Sequence, residues 1–235
     1  VDAYSASLTR TAAATLSGER VWMGAASLEG RAFFAGGASS NMNSDNKCAN
    51  VEVYNSTLTR TAATNLSVAR YYPLTATIGS RVLFAGGTGN TITKVVDVYS
   101  TSLTRTAAAD LSRPTSGDAS TVVGNYAIFT SDGNTSCDVY NASLTKTTVT
   151  LLSVARVNMS AGTVGDYALF AGGGTNSPYS DVVDACDTSL TRTTVTTLDY
   201  PRSGLSSATV GDYLLFAGGR IDSENYSSDV FVYTA

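Results

Sequence analysis

Two short phrases alternate along the whole chain, and their spacing constrains the fold more than any other feature. The first is an apolar run that ends in two glycines, as in LFAGG at 83–87. The second leads from an acidic strand-like run into a turn, as in VDVYSTSLTRT at 96–106. Corresponding positions of the second phrase are 41 to 50 residues apart: Tyr4, Tyr54, Tyr99, Tyr140, Cys186 and Tyr233. A self-similar period of this length is typical of a solenoid or a propeller.

Each repeat contains four short strand-like runs, which in the fourth full unit are 157–164, 167–173, 182–186 and 190–196. Four strands joined by turns predict one blade of a β-propeller. Charged residues make up only 14% of the chain, and strand and turn formers outnumber helix formers. The sequence therefore predicts an all-β protein, with residues 1–235 forming a single propeller domain.

The glycine-rich stretch VGDYALFAGGG at 164–174 has two interpretations: a phosphate-binding loop, or turns that separate strands (strand punctuation). Gly165-Asp166 suits a two-residue hairpin turn, because both residue types tolerate a positive φ. Gly172-Gly173 suits a sharp turn where backbones pack closely. No helix is predicted after the glycines, so the phosphate-binding interpretation is disfavoured.

The doubled glycine, followed by a Tyr-bearing third strand, resembles the kelch repeat over the whole chain. The best match is YPRSGLSSATVGDYLLFAGG at 200–219, which resembles the blade phrase of kelch adaptors of ubiquitin ligases. The resemblance implies a β-propeller. The chain departs from it in two ways: the third unit has IFTSD at 128–132 instead of the double glycine, and the usual Trp is replaced by Thr. We expect leucines to fill the space of that Trp between blades: Leu58, Leu103 and Leu144.

The strand count predicts five blades of four antiparallel strands each. There are five first, second and fourth strands but six third strands, because both ends of the chain carry one. We expect the ring to be closed by the N-terminal segment, with 8–14 as the outer strand of the last blade. Either 1–4 or 230–233 is then redundant, and 230–233 buries more apolar surface. Alternatively, the chain was cut from a longer array, which agrees with its beginning at Val1 inside a strand-like run.

Composition excludes several classes of function. The chain has no histidine, which excludes Ser-His-Asp and Cys-His catalysis and His-ligated zinc or copper. Its net charge of −4 disfavours nucleic-acid binding. No apolar run approaches the roughly 18 residues of a membrane helix, so no membrane insertion is predicted. The three cysteines have no metal-type spacing. We predict no cofactor, no metal and no catalytic residue, and we expect a monomer.

Four arginines each precede a double glycine by sixteen residues, at Arg20, Arg70, Arg156 and Arg202, and the third unit has Thr115 instead. Their place is the loop that enters the first strand of a blade, so they are expected to surround one mouth of the central channel. In the kelch adaptors, arginines at this position contact acidic peptides, and the resemblance carries that role to these four. The alternative, that they hydrogen-bond neighbouring carbonyls and carboxylates, remains open.

The predicted ligand-binding set is completed by residues beside the arginines. Trp22 and Tyr72 would offer stacking platforms, although packing between blades is an alternative. Thr115 and Asn158 belong to the same loops. The loops between second and third strands should open on the same face, and they vary in length: 38–50, 88–95, 131–136, 174–181 and 220–228.

The sequence predicts a non-catalytic binding module on a cell or virion surface or in the extracellular space. Its ligand would be a carbohydrate or an acidic peptide or protein, since arginine, aromatic and amide groups suit both. Two alternatives remain open: a sugar-modifying enzyme of the mutarotase type, and a purely structural spacer in a fibre.

Overall fold

The structure is a computed structural model that describes residues 1–39, 46–174 and 178–235. Within these ranges every regular element is a β-strand, every pairing between strands is antiparallel, and no residue is helical. Four sheets have four strands, one has three and one has two. The all-β prediction is therefore confirmed, and the arrangement is propeller-like. Within the described ranges, no helix is long and apolar enough to cross a membrane.

The strands follow the repeat along the chain. The two-stranded sheet, here called the N-terminal hairpin, consists of β1 (Asp2–Tyr4) and β2 (Arg10–Ala12). Sheet 1 consists of β3 (Gly24–Leu28), β4 (Arg31–Ala35), β5 (Val51–Tyr54) and β6 (Arg60–Ala63). Sheet 2 consists of β7 (Leu74–Ile78), β8 (Arg81–Ala85), β9 (Val96–Tyr99) and β10 (Arg105–Ala107).

The second half of the chain repeats the pattern three more times. Sheet 3 consists of β11 (Ser120–Val123), β12 (Tyr126–Phe129), β13 (Ser136–Asn141) and β14 (Lys146–Thr150). Sheet 4 consists of β15 (Ser160–Val164), β16 (Tyr167–Ala171), β17 (Val183–Asp187) and β18 (Arg192–Thr194). Sheet 5 has only three strands: β19 (Ser206–Val210), β20 (Tyr213–Ala217) and β21 (Val230–Thr234).

The double glycines end the second strands where neighbouring sheets meet. Gly86 and Gly87 have φ values of +64° and +97°. A Cβ atom on Gly86 would lie 2.5 Å from the carbonyl oxygen of Thr115, in the loop that leads into the next sheet. Any side chain would therefore push two sheets apart, which explains why glycine is needed here and confirms the interpretation of the motif as strand punctuation.

The core lies between successive sheets. The phenylalanine at the end of the second strand is fully buried in sheets 2 to 5: Phe84, Phe129, Phe170 and Phe216. In each of these sheets except sheet 4 its ring meets a third-strand tyrosine edge-on. The hydroxyl of that tyrosine reaches the preceding unit: Tyr99 donates to the Thr64 carbonyl at 2.9 Å and Tyr140 to the Ala109 carbonyl at 2.6 Å. The repeated tyrosine therefore joins sheets as well as filling the core.

The first strands of successive sheets are linked by hydroxyl groups. Thr75 donates to the Ala25 carbonyl at 3.0 Å, Ser120 to the Thr75 carbonyl at 2.9 Å, and Ser207 to the Ala161 carbonyl at 2.7 Å. Thr163 of β15 donates to the Val122 carbonyl of β11 at 2.5 Å. Together these bonds place β3, β7, β11, β15 and β19 side by side in sequence order. The predicted packing leucines are confirmed for Leu103 and Leu144, which pack against the core of the preceding sheet.

The predicted completion of the last sheet by the N-terminal segment is wrong for this structure. β2 pairs with β1, with Tyr4 opposite Arg10, and β21 pairs with β20 alone among the described strands. The cause is the turn between Tyr4 and Arg10, which folds β1 and β2 into a local hairpin that needs no distant partner. Both candidate third strands are therefore formed, and neither is redundant.

Candidate functional site

The predicted ligand arginines are buried ion-pair partners, which corrects their assignment to a binding site. Arg70 is fully buried, and it lies 2.9 Å from the Asp97 carboxylate and 2.9 Å from the Phe84 carbonyl. Arg156 lies 2.9 Å from Asp184 in the same way. Arg20 pairs with Glu52, and both side chains are only 2% exposed. Their guanidinium groups are occupied by the protein itself, so the alternative interpretation is the one that agrees with the structure.

Each of these carboxylates binds groups from the loop that enters its sheet and from the outer strand, an arrangement here called the bracket. Asp97 accepts from the backbone amide of Ser67 and from Arg105 of the outer strand, in addition to Arg70. Asp184 is held by Ser153, Arg156 and Arg192 in the same pattern. The bracket fixes the path of the loop that enters each sheet, because a buried carboxylate needs all of these donors.

The electrostatics of Glu52 follow from the same arrangement. Burial alone would raise its pKa, but hydrogen bonds from Ser17 and Arg60 and the positive charge of Arg20 together hold the pKa below its ordinary value. Glu52 is therefore a carboxylate that the protein keeps ionised for its own structure. It is not a group that is free to bind a ligand or to exchange protons.

Two units depart from the bracket. Arg202 is fully buried, but Phe231 stands where the other sheets carry the carboxylate, and the guanidinium lies 4.4 Å from the centre of that ring. Its ion pair is with Asp229 at 3.3 Å instead. In the third unit Thr115 is also fully buried and donates to Asp132 at 2.9 Å. Thr115 is therefore not available to a ligand, which corrects its assignment too.

Asp118 is an unusual buried group of the third unit. It occupies a position at which the other repeats have an apolar residue, such as Met23 or Leu205. Both of its carboxylate oxygens are buried without a hydrogen-bond partner, because the nearby Thr130 hydroxyl bonds to Ala119. Burial raises the pKa of Asp118 to about 7, and the negative charge of Asp132 adds to the rise. The residue as a whole is half-buried, but its two carboxylate oxygens are shielded from solvent in this structure.

The loops that enter the sheets carry one residue per unit, two positions after the arginine, along one face of the propeller-like array, here called the mouth. These residues all have a positive φ: Trp22, Tyr72, Gly117, Asn158 and Gly204. Three backbone hydrogen bonds join neighbours among them, with Tyr72 donating to Trp22, Gly117 to Tyr72, and Gly204 to Asn158. Three predicted residues are thus brought to one rim: Tyr72 and Asn158 are exposed, and Trp22 is half-buried.

The rim carries an aromatic cluster on one side. The rings of Trp22 and Tyr72 have centroids 5.1 Å apart, and Tyr71 lies within 5.5 Å of both. Since Trp22 and Tyr72 belong to neighbouring sheets, this cluster packs the sheets together while leaving part of each ring in solvent. Both alternatives for these rings, inter-sheet packing and an accessible platform, therefore apply at once.

The loops between second and third strands open on the same face, as predicted. A bridge joins Tyr71 to Thr88, and a second joins Thr88 to Ile92; Ser203, Arg220 and Tyr226 form the same pair of bridges in sheet 5. Each bridge pair ties the loop entering a sheet to the loop after its double glycine. Residues 40–45 of loop 38–50 and residues 175–177 of loop 174–181 lie outside the described residues.

A cleft of about 320 Å³ opens at this face between sheets 4 and 5. Four side chains with recognition chemistry line it: Asn158, Tyr179, Arg220 and Tyr226. Tyr226 is 74% exposed, and its ring centre lies 6.0 Å from the Arg220 guanidinium carbon. Unlike the buried arginines, Arg220 is exposed; it donates to the carbonyls of Asp222 and Ser223 within its own loop.

Sequence reasoning included Asn158 in the site but missed Tyr179, Arg220 and Tyr226 as individual residues. They lie in loops that differ from unit to unit, so no repeat position marks them. One signal was present: Arg220 follows its double glycine directly, where the other units have Ala38, Thr88 and Gly174. A charged residue at an otherwise small position was the available clue.

Comparisons with known proteins give a fold neighbour but no family. No family model matches the chain, and no curated protein matches it. A solved structure described as "Structure of YjhT" is similar over 96% of this chain and 85% of its own, with a TM-score of 0.73 and 16% sequence identity. At that identity the similarity shows the fold alone.

Proposed function

We propose that this protein is a non-catalytic binding module with a kelch-like propeller of five units, and that it binds its ligand at the mouth. The observation that carries the proposal is the cleft formed by Asn158, Tyr179, Arg220 and Tyr226. Its ligand is a carbohydrate or an acidic peptide, presented outside the cell or at a cell or virion surface. The site lies on loops that a rigid scaffold holds in place, as is usual for binding functions.

The chemistry of the cleft suits a ligand with an apolar face and an anionic group. Tyrosine rings give contact area and stack on sugar or side-chain surfaces at low conformational cost. The Arg220 guanidinium can bind a carboxylate through two parallel hydrogen bonds, and the Asn158 amide can both donate and accept. A hexose or one acidic side chain with its backbone is of a size that about 320 Å³ accommodates.

Backbone strain at the rim also supports a binding role. Trp22, Tyr72 and Asn158 hold a left-handed conformation at positions where Gly117 and Gly204 adopt it without cost. A left-handed conformation costs a non-glycine residue about 1 kcal/mol or more. Side chains kept at strained positions on a solvent-facing rim are common at functional sites.

A non-catalytic role agrees with the residues around the cleft. No Asp or Glu is among the described residues that line it, and a mutarotase-type reaction needs groups that can give and take a proton. Asp118, with its raised pKa, has buried carboxylate oxygens and is not among the described residues that line the cleft.

The experiment that tests the proposal is a glycan and peptide array probed with the isolated protein, followed by affinity measurements with two variants. We expect Tyr226→Ala and Arg220→Gln each to weaken binding of the array hits at least tenfold. The matched control is Tyr4→Ala, which removes an equally exposed tyrosine from the N-terminal hairpin. Absence of any hit on both arrays, or unchanged affinity in both cleft variants, would contradict the proposal.

A further inference from the structure

At three of the four junctions between sheets 1 to 5, the main chain of one unit covers the loop that enters the next sheet. The residue at the arginine position uses both of its main-chain groups there. Its carbonyl accepts from the second glycine of the preceding unit at 2.9, 2.7 and 2.8 Å: Gly37 to Arg70, Gly87 to Thr115, and Gly173 to Arg202. Its amide donates to a small residue of the same preceding loop at 3.1, 3.2 and 3.0 Å: Arg70 to Cys48, Thr115 to Thr93, and Arg202 to Ser180. Each of these junctions is therefore closed by a pair of main-chain hydrogen bonds.

The junction between sheets 3 and 4 has neither bond. Within the described ranges, the amide and the carbonyl of Arg156 make no main-chain hydrogen bond. The bond along the rim is missing too, since no hydrogen bond between described residues joins the Asn158 amide to the Gly117 carbonyl. Sheets 3 and 4 both have all four strands, so this open junction is a feature of the repeat itself.

Two changes in the sequence of the third unit account for the missing pair of bonds. Asp132 stands at the place of the second glycine but lacks the positive φ, a conformation that suits glycine, of +97° to +106° at Gly37, Gly87 and Gly173. The loop is also shorter: residues 131–136 number six, and the equivalent stretches number ten or more, at 36–50, 86–95 and 172–182. Asn134, at the place of Thr93, folds back and donates its amide to the Ser131 carbonyl at 3.0 Å. The main chain of the third unit therefore stops short of Arg156.

A groove of about 430 Å³ opens beside this short loop. Gly133 lines one side of the groove, and residues 154–157 of the loop that enters sheet 4 line another. Gly133 and Ala155 are exposed, and Val154 is 51% exposed. The groove is therefore open to solvent next to the uncovered main chain of Arg156.

The loop that enters sheet 4 keeps the conformation found at the closed junctions. The Val157 carbonyl accepts from the Gly174 amide at 2.6 Å, as the Tyr71 carbonyl accepts from the Thr88 amide at 2.8 Å. The amide and the carbonyl of Arg156 therefore point toward the preceding unit, as those of its counterparts do. An amide and a carbonyl of one residue that point to the same side are what a sheet edge offers to an added strand.

The free charges around the groove are acidic. Asp181 lines the groove, and Asp132 precedes Gly133 in the loop at its side. Arg156 is the one cation among the described lining residues, and its guanidinium lies 2.9 Å from the Asp184 carboxylate. A positively charged side chain next to the paired main chain would therefore be attracted, and an acidic one would be repelled.

We propose that this groove binds an extended segment of a partner protein, with a small residue paired to the Arg156 main chain and a basic residue next to it. The amide of the small residue donates to the Arg156 carbonyl, and its carbonyl accepts from the Arg156 amide. The closed junctions support this occupant, because small residues stand there and two of the three have a lysine neighbour: Lys47–Cys48, Thr93–Lys94 and Ser180. The groove shares Gly174 and Tyr179 with the cleft at Arg220. Its occupant carries the opposite charge to the ligand of that cleft, so this site does not rest on the proposed function.

The test uses a synthetic peptide with blocked ends, Thr-Ile-Thr-Lys-Val, which is the sequence of residues 91–95 of this chain. At the junction between sheets 2 and 3, the carbonyl of its central threonine accepts from the Thr115 amide. Nuclear magnetic resonance titration of the full chain with this peptide measures the affinity. We expect saturable binding, and we expect N-methylation of the central threonine, which removes the donating amide, to weaken it at least tenfold. No saturable binding up to about 1 mM peptide, or equal affinity of the methylated peptide, would overturn the proposal.

Variants of the chain show where the peptide binds. Val154→Trp fills the groove, and Val68→Trp is the matched control, because Val68 is exposed at the same repeat position beside a closed junction. We expect Val154→Trp to weaken peptide binding at least tenfold, and Val68→Trp and Arg220→Gln to leave it unchanged. Exchange of residues 131–136 for the sequence of 86–95 supplies the missing loop and should abolish binding. Circular dichroism checks that each variant is folded. Equal binding by the two tryptophan variants, or a loss confined to Arg220→Gln, would also overturn the proposal.

Discussion

The guanidinium of Arg70 and the carboxylate of Asp97 lie 2.9 Å apart with both side chains fully buried, although 27 positions separate them in the chain. The pair joins the loop entering sheet 2 to the third strand of that sheet. It also draws in Ser67 and Arg105, so four residues share one buried centre of charge. The equivalent pairs in sheets 1 and 4 make this a repeated structural device.

Removing one partner of the pair should destabilise the protein strongly. Arg70→Met leaves the Asp97 carboxylate buried without its main partner, and we expect a loss of about 3–5 kcal/mol in the free energy of unfolding. Urea denaturation measures the loss, with Arg113→Met as the control because Arg113 is exposed. If the two variants lost similar amounts, the bracket would not be a stabilising element.

The titration of Asp118 should make stability fall as the pH rises from about 4 to about 7. Its pKa is about 7 in the folded protein and near 3.8 in an unfolded chain, so the folded state binds the proton more tightly in this window. Asp118→Asn removes the free-energy cost of burying an ionised carboxylate. We expect the variant to be more stable than the unmodified protein at pH 8 by about 1–3 kcal/mol, with the difference shrinking below pH 5.

Comparing the two proteins at each pH cancels the contributions of all other groups. Thermal or urea unfolding between pH 4 and 8 supplies the data, and Asp212→Asn, in an exposed hairpin, serves as the control. A difference that does not change with pH would mean that Asp118 is ionised throughout in the folded state.

Two phenylalanines at the same repeat position should differ in their contribution to stability. Phe170 is fully buried between sheets 3 and 4, whereas Phe34 in sheet 1 is only half-buried. We expect Phe170→Ala to cost about 3–5 kcal/mol and Phe34→Ala clearly less. Equal losses would indicate that sheet 1 is covered in solution as completely as the other sheets are, and a loss below about 1 kcal/mol for Phe170 would place its strand outside the core.

Substitution of Asn158 should change stability through its backbone conformation and ligand affinity through its side-chain amide. With φ at +55°, Asn158→Ala should lose about 1 kcal/mol, whereas Asn158→Gly should keep or slightly raise the stability. Both variants lack the amide and should weaken ligand binding equally. Stability and affinity measured on the same samples distinguish these effects; a difference in affinity that follows stability would assign the residue a purely structural role.

The repeat made most of the architecture predictable. Four strands per unit, the hairpin turns, the double glycine and the shared face of the loops all follow from local sequence rules that recur in every unit. The ends could not be predicted in the same way. Two third strands, β1 with Asp2 and β21 with Phe231, could each pair with β2. In this structure β2 pairs with β1, because a short turn joins them.

The role of the arginines could not be read from their spacing alone. A regular ring of cations at a loop is expected both for a binding site and for a structural bracket. The deciding information was in the second phrase, where Glu52, Asp97 and Asp184 recur at one position, but a sequence does not show that these residues meet arginines 27 to 32 positions earlier. The exposed Arg220 lies outside the repeat pattern, so periodicity could not identify it.

The paired bridges at the mouth, such as Tyr71–Thr88–Ile92 and Ser203–Arg220–Tyr226, have a consequence for how this protein can change. The bridges hold both ends of a loop against the sheets. We therefore expect the residues between the bridges to contribute little to the free energy of folding. Substitution, insertion or wholesale replacement of those inner residues should leave the scaffold intact. The molecule is thereby suited to diversification, with new recognition surfaces displayed on an unchanged frame.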